Sequence, residues 1–252
     1  MKKRLLAILP AVLAVSVALG AAALAAGEKP VSVRAGDVLL TVTGNASPKR
    51  LPRHGLAPVS FHTSARIATV DGGQPPALSE VTADVGKAGT IEAGKFPSCP
   101  QHRLEATTTE QAKSACPTAI VGSGRGEVEV QFPEQQPFTA KGPLTLFNGG
   151  ERNGKALLLI HAYVNVPAPT AIVSPVWTSR EHKGPYRLHS VATIPAIAGG
   201  AGSVTYFYFN IDRKGYLTAN CSNGHFSAHV DAKFRDGTDL AASFQKPCTP
   251  IG

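Results

Sequence analysis

The sequence predicts an all-β protein: an antiparallel β-sandwich-like domain with one short helix and two disulfides. Three observations carry this expectation. Runs of β-branched and apolar residues recur at short spacing, 20 prolines and 25 glycines punctuate the 252 residues too often for long helices, and four cysteines offer an even count for cross-linking. Hydrophobic residues make up 43% of the chain and charged residues 17%, which excludes disorder over most of its length and supplies material for a core.

The first 26 residues read as a cleaved secretory signal peptide. Lys2, Lys3 and Arg4 precede an apolar stretch from Leu5 to Leu24, and Ala23 and Ala25 form an A-x-A pattern ahead of the polar Gly27-Glu28-Lys29-Pro30. The stretch is long enough to act as a retained anchor instead, but the alanine-rich end and Pro30 favour cleavage. Residues 27–252 are then a single secreted β-rich domain, located outside the cell and in contact with its wall. No cysteine near the cleavage point offers a lipid attachment site, and Pro250-Ile251-Gly252 is no apolar anchor. Beyond the leader no apolar run approaches the roughly 20 residues a membrane helix requires, so no membrane span is expected after cleavage.

The leader holds three of the 25 basic residues and none of the 17 acidic ones, which leaves the mature chain at +5. A modest positive excess favours encounters with anionic surfaces, such as acidic envelope polymers or lipid head groups. Nucleic acid is not an expected partner. Basic residues such as Lys49, Arg50 and Arg53 are scattered, and no dense cluster interleaves with aromatics.

Cys99, Cys116, Cys221 and Cys248 all lie in the exported part, and an oxidising compartment favours two disulfides among them. Of three connectivities, proximity favours Cys99 with Cys116 and Cys221 with Cys248. Between the first two, Thr107 and Glu110 offer a capping box ahead of the helix formers Gln111, Ala112 and Lys113, so a short helix carries the chain back. Between the second two, Asn223-Gly224 and Asp236-Gly237 are hairpin turns, which predicts a three-stranded meander over residues 215–247. Flat strands would hold Cys221 and Cys248 about 9.5 Å apart, so the chain after Pro247 must bend back. Metal ligation lacks any C-x-x-C spacing.

Ahead of that meander, strands are expected near 31–43, 58–70, 77–85, 118–131, 137–147, 156–166, 171–178, 187–194 and 203–211. Glu127-Val128-Glu129-Val130 alternates, with valines inward and carboxylates outward. Ala156-Leu157-Leu158-Leu159-Ile160 is continuously apolar and suits a central strand covered on both faces. Two packed β-subdomains, joined at 133–136, are the alternative to one sandwich.

The layout Cys99-Pro100, Cys116-Pro117 and Gly122-Ser123-Gly124 resembles a family of uncharacterised exported β-rich proteins of actinobacteria. The likeness continues through Pro143-Leu144-Thr145-Leu146-Phe147-Asn148-Gly149, His161-Ala162-Tyr163, Ala192-Thr193-Ile194-Pro195 and Tyr216-Leu217-Thr218-Ala219-Asn220-Cys221. It ends on Phe234-Arg235-Asp236-Gly237 and Cys248, and covers most of residues 35–248. The resemblance implies export and a β-rich fold and brings no catalytic residues with it.

Candidate sites are few. Gly122-Ser123-Gly124-Arg125-Gly126 looks like a phosphate-binding loop, but a strand follows it where a dinucleotide site needs a helix, so a bend within a strand is the expectation. Glu127 and Glu129 share a strand face about 7 Å apart, a carboxylate spacing suited to glycoside hydrolysis, yet nothing apolar beside them would keep a proton on either. His225 and His229 lie about 13 Å apart on a strand, too far to chelate one ion. His161, beside Tyr163, is a candidate base without an assignable partner. No metal and no cofactor is expected.

The most suggestive segment is Val204-Thr205-Tyr206-Phe207-Tyr208-Phe209-Asn210-Ile211. Alternation sends Phe207, Phe209 and Ile211 to one face, which is core, and Tyr206, Tyr208 and Asn210 to the other. That second face is either another core layer or a ligand-binding ledge where rings stack on a sugar and Asn210 hydrogen-bonds it, with Trp177 and Tyr186 extending it if the fold brings them near. The functional expectation is a secreted, non-catalytic binding or structural protein of the cell envelope or extracellular polymers, its partner an anionic or carbohydrate polymer. The alternative is a secreted hydrolase, with His161, Glu127 and Glu129 as candidate participants.

Overall fold

The computed structural model describes residues 29–165, 168–181 and 184–252. The expected leader, and the last residue of the strand expected at 156–166, lie outside the described residues. The chain forms, in order, β1 (Val31–Ala35), β2 (Val38–Ser47), β3 (Arg50–Pro52), β4 (Ala57–Thr69), β5 (Leu78–Gly86) and β6 (Gly89–Ile91). After α1 (Thr109–Ala115) come β7 (Ile120–Val130), β8 (Phe138–Arg152), β9 (Lys155–Val164), β10 (Thr170–Arg180) and β11 (Tyr186–Thr193). The last strands are β12 (Gly202–Ile211), β13 (Leu217–Ala219), β14 (His225–Phe234), β15 (Asp239–Pro247) and β16 (Thr249–Ile251). The fold is thus all-β and antiparallel with one α-helix, and both expected disulfides form, Cys99–Cys116 and Cys221–Cys248.

The opposed layers belong to one sheet that curls round on itself. Its strands run β1-β2-β4-β12-β7-β8-β9-β10-β11-β5-β14-β15, and β1 packs against β15 at the seam without a hydrogen-bonded ladder. Side chains seal the seam: Val33 and Ala35 of β1 and Phe244 of β15 pack on the cluster of Val38, Leu40, Ile67, Phe234 and Leu240. A sheet closed in this way leaves little edge open to other chains. Among the described residues no helix is long and apolar enough to cross a membrane.

The outer wall is covered on one side. The segment between Cys99 and Cys116 lies over β8 and β9, where Leu104, Ala112, Phe147 and Leu159 are buried together. The continuous apolar run in β9 is explained by this. Leu158 and Ile160 face the barrel interior while Leu157 and Leu159 face the covering segment.

Two local expectations are corrected. The capping box is one residue further along: Thr108 Oγ1 accepts from the Gln111 backbone N–H and the Gln111 side chain accepts from the Thr108 N–H. Thr107 is free of that duty and donates its hydroxyl to the Leu104 carbonyl. The closing meander has two strands, β14 and β15, not three, because β13 pairs with β4 and β6. Cys221 therefore stands in a non-strand segment ahead of β14, which brings its Cα to 6.0 Å from that of Cys248. The pull of Asn223-Gly224 toward a hairpin is overridden by the pairing of β13 elsewhere and by the covalent link.

Candidate functional site

The inward-facing side chains do not meet across the barrel. They enclose a cavity of about 670 Å³, within the range of small-molecule sites. Its wall includes Val81, Val128, Ile160, Ile172, Phe209 and Val230, contributed by six different strands. These inward positions are half-buried rather than buried, as expected of side chains that face space instead of neighbours. At about 30 Å³ per water-sized group, the cavity has room for roughly twenty methylene-sized groups, the size of one long acyl chain.

Interior clusters pack toward both ends. Near the start of β2 and the end of β4, Val38, Ile67, Leu78, Phe234 and Leu240 form one of them. Toward the opposite end, Val121, Leu146, Ile211 and Tyr216 form the other. Asn148 is fully buried and fixes this end: its Nδ2 donates to the carbonyls of Ala93, Phe96 and Pro97 at 3.0–3.1 Å, and its Oδ1 accepts from the Gly150 N–H. The Tyr216 hydroxyl reaches the same Oδ1 at 3.4 Å, and burial pushes its pKa up. Asn148 lies in the Pro143–Gly149 stretch of the resemblance, which gives no sign of this role.

Tyr208 and Asn210 stand on the outer wall, and Phe207, Phe209 and Ile211 line the cavity, as the alternation predicts; Tyr206, next to a register irregularity, turns its ring to Arg66 outside and also borders the cavity. The three outer residues form a row with partners from β4. The Arg66 guanidinium lies 4.9 Å over the Tyr206 ring, His62 Nδ1 is hydrogen-bonded to Asn210 Oδ1, and the His62 and Tyr208 rings are 6.3 Å apart. Trp177 does not extend this row; it packs beneath the Cys99–Cys116 segment on β10. Tyr186 lies beside His229 instead.

The remaining candidates are occupied structurally. His161 is fully buried under the covering segment, where Nε2 meets the Thr107 carbonyl at 3.1 Å and the Thr107 hydroxyl at 3.2 Å while Nδ1 has no partner among the described residues. Burial lowers its pKa, partly opposed by the Thr107 carbonyl. Glu127 pairs with Lys141 at 3.1 Å. Strand registers put Glu127 and His161 two strands and four residues apart, roughly 16 Å, so they do not converge as acid and base. His229 is held by Ser243 and Asp231, and His225 by the Asn223 carbonyl. Among the described residues no group of three or more metal-ligating side chains converges. The glycine-rich segment lies within β7, without a helix after it.

Compared with protein families, curated proteins and solved structures, the chain matches none of them. Its fold and cavity define it by class alone, as a curled antiparallel sheet around an apolar chamber.

Proposed function

We propose that the chain is an exported, non-catalytic binding protein whose ligand is an apolar molecule held inside the curled sheet. The cavity carries this reading. It offers about 670 Å³ of space inside a predominantly apolar wall, the size and lining of a small-molecule site. A wall of this shape is built to be filled, and its apolar lining selects an apolar occupant. The leader-like N-terminus and two disulfides support export to an oxidising compartment, as does the resemblance to exported actinobacterial proteins.

A test is titration of the oxidised mature protein with the uncharged fluorophore N-phenyl-1-naphthylamine. Saturable enhancement at one site per chain, reversed by hexadecan-1-ol, supports the reading, and absence of enhancement contradicts it. The outer row of Tyr206, Tyr208, Asn210, His62 and Arg66 supports a second contact, with an anionic or carbohydrate polymer of the envelope, which would place the carrier at the cell surface.

A further inference from the structure

One line of polar side chains in the cavity wall lies on β10, where inward positions run Ser174, Val176 and Thr178. Arg180 follows at the strand's end, exposed and outside the cavity lining. Thr178 Oγ1 lies 2.9 Å from the Ser190 hydroxyl on the neighbouring strand β11. Arg180 Nη2 donates to Thr90 Oγ1 at 3.1 Å, and Thr90, a buried residue of β6, lines the cavity. A track of hydroxyls thus follows this wall of a mostly apolar chamber, and at its end Thr90 is held by an exposed guanidinium.

Lys246 of β15 also lines the cavity and donates its Nζ to the Lys29 carbonyl at 3.3 Å. Glu127, the acidic residue of the wall, is matched by Lys141 outside. Among the described residues no carboxylate stands within ion-pairing distance of Arg180. A guanidinium offers a planar fork that fits a carboxylate.

We infer that the ligand is a long-chain carboxylate, its apolar chain along the cavity and its head group at Arg180 and Thr90. This rests on the cavity being the ligand site. The experiment is equilibrium binding of labelled hexadecanoate and of hexadecan-1-ol to delipidated, oxidised mature protein, wild type, Arg180→Gln and Arg180→Lys, at pH 7.5 and low salt. Wild type is expected to prefer the acid by about tenfold or more, Arg180→Gln to lose that preference, and Arg180→Lys to keep most of it. Equal affinity of wild type for acid and alcohol, or a preference that survives in Arg180→Gln, overturns the head-group assignment while leaving the cavity reading intact. Binding of neither ligand by wild type overturns both.

Discussion

Gly124 lies against Phe209 across the β7–β12 ladder so closely that a Cβ on it would stand 2.0 Å from the Tyr208 carbonyl oxygen and 2.7 Å from the Phe209 Cα. Both contacts are backbone, so no side chain can swing aside. Gly124→Ala must separate the strands that carry the aromatic row, and its cost is expected at about 3 kcal/mol or more, at the upper end of overpacking penalties. Urea unfolding checks this, and a loss below about 1 kcal/mol would show the approach to be looser.

The two sides of the wall should respond differently to truncation. Leu159 is fully buried beneath the covering segment, whereas Ile172 is half-buried and faces the cavity. Leu159→Ala leaves a new void and is expected to cost about 2–5 kcal/mol, while Ile172→Ala widens a space that already exists and is expected to cost about 1 kcal/mol. Equal losses in denaturant titration would mean that the interior is packed.

Burial holds the His161 pKa below its ordinary value of 6.5, so in acid the unfolded chain takes up a proton that the folded chain refuses. The sign follows: this group costs nothing above about pH 6.5 and removes stability as pH falls from there toward the lower folded value. Unfolding free energies measured from pH 7.5 to 4.5 should fall less steeply in His161→Gln than in wild type. Parallel profiles would place the acid sensitivity in other groups.

The outer row predicts a polymer contact that is separable from the cavity. Co-sedimentation with insoluble envelope material should resist high salt in wild type and be lost in the Tyr206→Ala/Tyr208→Ala double variant, while Tyr208→Ala alone leaves uptake of an apolar fluorophore unchanged. Pelleting abolished by salt alone would reduce the contact to net charge. No pelleting at either salt concentration would remove the envelope partner.

Much of the fold is legible in the sequence, for local reasons. Alternation in residues 204–211 assigns Phe207 and Phe209 inward and Tyr206 and Tyr208 outward because side-chain direction in a strand has period two. Cys99 and Cys116 pair as proximity suggests, with a helix between them that begins one residue later than Thr107 indicates. Closure is not legible. It depends on β12 inserting between β4 and β7, and β5 between β11 and β14, and such partners are far apart in sequence with no shared local signal. The cavity is hidden for a related reason: Val128 and Ile160 have the same inward pattern whether they meet an opposing layer or open space. Arg180 and Thr90, ninety residues apart, become a pair only when β6 folds against the end of the sheet.

The central claim is that the curled sheet holds one apolar ligand inside it. Ala162 lines the cavity near the end of β9 and is half-buried, so Ala162→Phe should enter open space with a stability change within about 1 kcal/mol, where a packed core would lose about 1–3 kcal/mol. Native mass spectrometry after incubation with hexadecan-1-ol measures the consequence. The account requires one bound molecule per chain in wild type and none in folded Ala162→Phe; equal uptake by both, or non-saturating uptake by wild type, would contradict it.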